Sequence, residues 1–322
     1  MRLRRHIVAA PAAAAMVALC AIAAAAGPLA SPAATPAAGP WSLAPGEYYT
    51  ELYGSSFSTG TGFDDGGTRV QLGGQRVEER AIRSYTEMGW KKHWSFQMWL
   101  PFVTNSVRDA GTTGGMSISG LQDIGLGFRW KLKNGAHAAA LQFSWEAPTG
   151  YNDHLTLPVG DGQQKLSASL QLGGPAGKRG LWELGGGYRY DYRAITSRTS
   201  GTIASSPDSI IDGGRNWSDH AIVNAAYGHW FGNLQVAGIY GGSFPVQTGR
   251  GYEITQHTIG PRFTYRVDER LDAFAGSWHT PAGKNTPHLD EYYAGVAWKL
   301  TKLDRLQGFI GGNGSDNAAV RK

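Results

Sequence analysis

Ser277 and His279 stand two residues apart, so in an extended segment both side chains leave the same face. A serine beside a histidine is the smallest nucleophilic pair for hydrolysis, and a third group must orient the imidazole. Ser218-Asp219-His220 repeats these residue types after a long polar stretch. Both groupings offer adjacency alone, so no catalytic residue is assigned and the chain is not read as an enzyme. Metal chemistry has no compact motif. His154, His220, His257 and His288 are scattered, and Asp64-Asp65 sits in a glycine-rich loop. No metal ligand and no cofactor is assigned. A third set is larger: Glu87, Arg129, Lys131, Glu146, Glu183, Arg189, Asp191, Arg193, Arg262, Arg266 and Lys299. Each belongs to the polar face of an alternating segment. Both signs are present, which suits a charged lumen that selects solutes or cross-links its own wall.

The elements that carry this set are strands. The clearest is Leu121 to Glu146, a hairpin with Asn134-Gly135 at its turn. Ile124, Leu126, Phe128, Trp130 and Leu132 share one face of the first arm, against Asp123, Gly125, Gly127, Arg129 and Lys131. On the second arm Leu141, Phe143 and Trp145 oppose Gln142, Ser144 and Glu146. A period of two marks a strand with two unlike faces. Segments of about ten residues, apolar on one side and charged or glycine-rich on the other, are the pattern of a transmembrane β-barrel. A secreted sandwich would bury the apolar face and set more lysine and less glycine opposite it.

Composition agrees. The chain has 322 residues, with 46 glycines, 11% aromatics and only 17% charged residues. Arg2, Arg4 and Arg5 precede the apolar stretch Ile7 to Ala26, which reads as a secretory signal over residues 1–26, with Ala30 as a second cleavage position. Cys20, the single cysteine, lies inside that segment, so the exported chain has no thiol chemistry. Losing the three arginines takes the net charge from +5 to +2, and no basic run supports nucleic-acid binding. Residues 27–45 read as a disordered lead-in rich in Ala, Pro and Ser.

Residues 46–300 then hold twelve alternating segments. They are Glu47 to Phe57, Glu79 to Trp90, Trp94 to Phe102, the two arms of the hairpin, Leu166 to Leu172, Trp182 to Tyr192, His220 to Phe231, Leu234 to Gly242, Ile259 to Val267, Leu271 to His279 and Tyr292 to Leu300. Every second connection is short. The others are long and polar, among them Asn105 to Gly120, Tyr151 to Gln164 and Ala194 to Ser218. Short periplasmic turns and long outer loops alternate in this way in outer-membrane barrels. Trp90, Trp94, Trp130, Trp182, Phe231 and Trp298 fall near strand ends, where they would form interfacial girdles. An open sheet edge would leave N–H and C=O groups unpaired in lipid, so the sheet must close. The fold class expected is therefore all-β, an antiparallel transmembrane barrel of about twelve strands behind a signal peptide. Residues 301–322 are a tail or an incomplete extra hairpin.

Several stretches resemble the phenol-degradation (MetA-pathway) family of outer-membrane barrels and related transporters. They are Trp99-Leu100-Pro101-Phe102-Val103, the run Gly120 to Trp130, Ala147-Pro148-Thr149-Gly150, Gly160-Asp161-Gly162-Gln163, Gly260 to Arg266 and Ala282 to Pro287. Together they span about Gly46 to Leu300. The resemblance implies a barrel of about twelve strands and uptake of small, aromatic or hydrophobic compounds.

The reading of function is a channel or transporter for a small solute in the outer membrane of a Gram-negative bacterium. Its partners are membrane lipid and that solute, with no nucleic acid. A non-conducting structural or partner-binding barrel is the first alternative, and a rim-site lipid hydrolase using Ser277 and His279 the second.

Overall fold

The computed structural model describes residues 41, 43–72, 75–109, 115–133, 135–149, 159–160, 164–192, 219–246 and 253–300. The expected signal segment, the tail 301–322, Arg193 and the connection from Ala194 to Ser218 lie outside the described residues. The strands are β1 (Tyr48–Thr59), β2 (Thr61–Phe63), β3 (Arg69–Gln71), β4 (Gln75–Lys91), β5 (Trp94–Asp109), β6 (Gly115–Leu121), β7 (Ile124–Lys133) and β8 (Ala138–Ala147). They continue as β9 (Gln164–Ala176), β10 (Gly180–Tyr192), β11 (His220–Phe231), β12 (Leu234–Pro245), β13 (Thr255–Arg266), β14 (Leu271–Lys284), β15 (Thr286–Pro287) and β16 (Asp290–Leu300). No helix occurs among the described residues.

Twelve of these strands form the wall. Each pairs antiparallel with its neighbour, β4 pairs with both β1 and β5, and β1 closes against β16 from Tyr48↔Leu300 to Phe57↔Glu291. Closure satisfies every edge that lipid would leave unpaired. Twelve strands about 4.8 Å apart and tilted by about 40° enclose a backbone cylinder roughly 24 Å across.

The alternating pattern sorts the two faces. Ile82, Phe102, Phe128, Leu132, Phe143, Leu170, Leu184 and Phe263 are exposed on the outside, and Ile82 reaches 60%. Arg83, Tyr85, Glu87, Gln97 and Arg129 alternate with that set and are buried. So continuous an apolar band on the outside of a closed barrel needs hydrocarbon as its solvent. Trp90, Trp94, Trp130, Trp182, Phe231 and Trp298 all fall at the short-turn end, where Trp94 and Trp130 stack at 5.6 Å with planes 6° apart. They make one girdle, at the periplasmic interface. Trp145, Tyr190 and Tyr292 face outward toward the opposite end and supply the second.

Two expectations are corrected. Asn105 to Gly120 is no loop: β5 runs on to Asp109 and pairs with β6 from Phe102↔Leu121 to Arg108↔Gly115. Its outward residues, Thr104, Ser106 and Arg108, line a cleft of about 370 Å³ with Glu78, Arg80, Met116 and Ser117. A polar outward face hid this strand, because that face lies above the apolar band and the apolar Val103 and Ile118 point inward. Pro101 consequently sits within β5 and not at its end. It stands between the last β7 partner, Trp99↔Gly125, and the first β6 partner, Phe102↔Leu121, where its carbonyl accepts from Gln122 N at 2.9 Å. A change of partner is where a missing N–H costs least.

The second correction concerns the first long connection, which contains β2 and β3. These join β15 in a small three-stranded sheet at the outer end. Asp64 is used there as a turn residue, accepting Thr68 N at 2.7 Å. Just ahead of β1 the chain is docked. Leu43 packs against the interior cluster, and Gly46 N donates to Gly89 O at 2.9 Å. Residue 89 must be glycine, since a Cβ there would lie 2.0 Å from Ala44 O.

Candidate solute path

The interior is two unlike walls. On β1, β4, β14 and β16 the inward side chains are large and buried. Tyr49, Tyr85, Phe274, Trp278, Tyr293 and Ala297 form one cluster, with Tyr53, Trp99 and Ile239 packed against it. Ring pairs run through it edge to face, Tyr49–Tyr85 at 6.2 Å and Tyr53–Phe274 at 6.0 Å, a geometry the aromatic quadrupole favours. Trp99 reaches onto β7, where a Cβ on Gly125 would lie 2.7 Å and one on Gly127 3.0 Å from its ring. The alternating glycines of that hairpin are the seat of this indole.

Three charge clusters are sealed in the same half. Arg129 Nη1 donates to Glu87 Oε2 at 2.7 Å, and both residues are 0% exposed. Tyr85 Oη and Ser95 Oγ donate to the same carboxylate at 2.7 and 2.5 Å. With the Gln97 amide oxygen facing its donors, it accepts from Arg129 Nη2 at 2.8 Å. Arg262 Nη2 donates to Glu51 Oε1 at 2.7 Å, Tyr49 Oη donates to the same oxygen, and the guanidinium lies 4.0 Å over the Phe274 ring. Further toward the outer end, Arg83 bridges Glu79 at 2.5 Å and Glu291 at 3.2 Å and donates to Ser55. Charges taken this far from water are tolerable only with partners of this quality.

The other wall, β8 to β12, is small and polar. Ser144, Ser167, Gln171, Glu183, Asn224 and Ala226 face inward on it and stay partly exposed. Asn224 Nδ2 donates to Gln171 Oε1 at 3.3 Å, and the Ser144 and Ser167 hydroxyls meet at 2.5 Å. This wall is filled less tightly than the opposite one.

The candidate residues distribute as follows. Glu87, Arg129 and Arg262 are in the sealed half. Glu183 stands on β10, three strands from Arg129 and three from Arg262, and feels both charges. Lys131 is buried near the turn end. Glu146 lies 3.8 Å from Lys165, which also reaches Asp123 at 3.9 Å. Near the outer mouth, Arg189 Nε donates to Asp191 Oδ1 at 2.8 Å, and His220 Nδ1 lies 3.0 Å from Asp191 Oδ2. At the periplasmic end, Arg266 lies 4.3 Å over Trp230 and 3.8 Å from Asp272, and Lys299 is exposed. Sequence reasoning missed Glu51, Glu79, Arg83 and Glu291, although alternation in Tyr49-Thr50-Glu51-Leu52-Tyr53 carried the signal for the first. Val159, from the loop after β8, is buried against Ala81 and Val103, which face inward at the outer mouth. The outer groupings resolve too. Asp290 Oδ1 lies 2.5 Å from His279 Nδ1, and the described hydrogen bonds include none between Ser277 and His279.

The family described as "Putative MetA-pathway of phenol degradation" matches residues 53–294. The chain belongs to this family. Among solved structures, an outer membrane channel from Pseudomonas putida F1 aligns with a TM-score of 0.63 at 12% identity, covering 84% of this chain and all of that one. The toluene transporter TodX of P. putida aligns at 0.39 and 9% identity, over 80% of this chain and 90% of its own. CymD, a monoaromatic hydrocarbon channel, aligns at 0.40 and 8%, over 80% and 88%. No curated protein matches the chain in sequence. With the apolar belt and the closed sheet, the family and the shared fold make this chain a bacterial outer-membrane β-barrel.

Proposed function

We propose that the barrel is a passive channel for small aromatic solutes, and that they travel along the inward face of β8 to β12. The observation that carries this is the split interior. A sealed aromatic and charged half gives the wall rigidity, and the Ser, Gln and Asn face opposite leaves the accessible side of the bore. A flat apolar ring with one polar substituent suits such a path. Hydroxyl and amide groups along it can exchange hydrogen bonds with the substituent as the ring passes. The family's link to phenol degradation supports the same solute class.

The test is conductance of the refolded barrel in a planar bilayer. Stepwise currents are expected, with a concentration-dependent block by phenol that glucose does not reproduce. Ser167→Trp, on the accessible face, should lower the unit conductance. A folded barrel that stays silent would overturn the channel reading in favour of a non-conducting barrel, and one that conducts without block by phenol would overturn the aromatic solute class.

A further inference from the structure

We propose that His279, His288 and Asp290 bind a divalent first-row metal ion of the zinc class at the outer rim. One ligand atom from each residue lies within 4.8 Å of the other two. His279 and Asp290 are register partners on β14 and β16 and face each other across the ladder. The two imidazoles stand 5.1 Å apart at 83°, and His288 Nδ1 is 3.9 Å from Asp290 Oδ2. Zinc bonds to imidazole and carboxylate at about 2.0–2.2 Å, which for a tetrahedral ion sets ligands about 3.3 Å apart. Closing from 4.8 Å to that spacing asks for about 1.5 Å of side-chain movement.

The backbone under the cluster is fixed from both sides. His288 N donates to Thr61 O at 3.0 Å, tying the residue to β2, and Thr280 N donates to Leu289 O at 2.9 Å. Leu289, between the two ligands, is 1% exposed and anchors the turn. His279 and Asp290 are about half exposed, so an ion enters from outside the barrel and keeps an open position toward solvent. Two imidazoles and one carboxylate suit zinc, nickel or copper and disfavour calcium, which takes oxygen ligands. One group opposes the ion: Arg69 Nη2 lies 3.3 Å from His288 Nδ1. It is an exposed side chain on β3 and must swing aside. Once bound, the ion would staple the β2–β3–β15 sheet to the barrel rim, a task distinct from solute passage.

The experiment uses the full refolded barrel in detergent micelles, carrying no histidine tag. Zinc binding is followed by calorimetry, and cobalt binding by its visible absorption. One equivalent is expected, with affinity about tenfold or more weaker in His288→Ala and in Asp290→Asn. Arg69→Gln should bind more tightly than the parent, a gain that a merely structural histidine cluster would not produce. Ser277→Ala, a neighbour on the same outward face, should bind as the parent does. Absence of binding by the folded parent would overturn the assignment. So would unchanged binding in the triple variant His279→Ala/His288→Ala/Asp290→Asn, or equal weakening by Ser277→Ala.

Discussion

Replacing Arg129 by methionine removes the guanidinium and keeps much of its length. Arg129 and Glu87 are both 0% exposed, and their contact is 2.7 Å. The variant leaves the Glu87 carboxylate buried, held by the hydroxyls of Tyr85 and Ser95 at 2.7 and 2.5 Å. Removing one partner of a buried pair costs about 3–5 kcal/mol, because the remaining charge is uncompensated. Exchanging both partners for neutral groups is often close to neutral. The double variant Glu87→Gln/Arg129→Met should therefore recover most of the loss, with a coupling energy of about 3 kcal/mol or more. The assay is reversible urea unfolding of the refolded barrel, read by tryptophan fluorescence, with the slope compared between variants. A single variant within about 1 kcal/mol of the parent would refute the reasoning, since that is the value of a solvent-screened pair. It would also mean that solvent reaches the half of the bore described above as sealed.

Two further outcomes follow from the packing. Gly127→Val places branched carbon where a Cβ already approaches the Trp99 ring at 3.0 Å, so the indole must leave its seat. The expected cost is about 1–3 kcal/mol in the same unfolding assay, with a shift in tryptophan emission. Val159→Asp puts a charge against Ala81 and Val103 and should release the loop from the outer mouth. Unit conductance should then rise, with a cost of about 1–3 kcal/mol in the urea assay from the apolar burial given up.

The hairpin Leu121 to Glu146 was legible residue by residue, since a period of two in large apolar and charged side chains admits one local structure. Leu234 to Gly242 is a strand as well, and it runs on to Pro245. The failure at Asn105 to Gly120 has a physical cause. The apolar belt that marks the other strands is missing there: above the bilayer the outward face of β5 and β6 is polar, and the apolar Val103 and Ile118 turn inward onto Val159.

The sequence by itself determined what lies on each face, the order of the strands and the side on which the long loops fall. Only the tertiary structure decided partners. Glu51 and Arg262 are 211 residues apart and meet because closure brings β1 and β13 within the same bore. Arg83 finds Glu291 only because β1, which separates β4 from β16, offers Ser55 between them. Gathering the aromatic rings into one half of the interior depends on strand register, which a slip of one residue would invert. The rim cluster depends on register as well: His279 and Asp290 are cross-strand partners, while His288 reaches them from the turn that β2 holds in place. Local alternation selects the strand, and the register of a closed ladder selects which charges and rings meet.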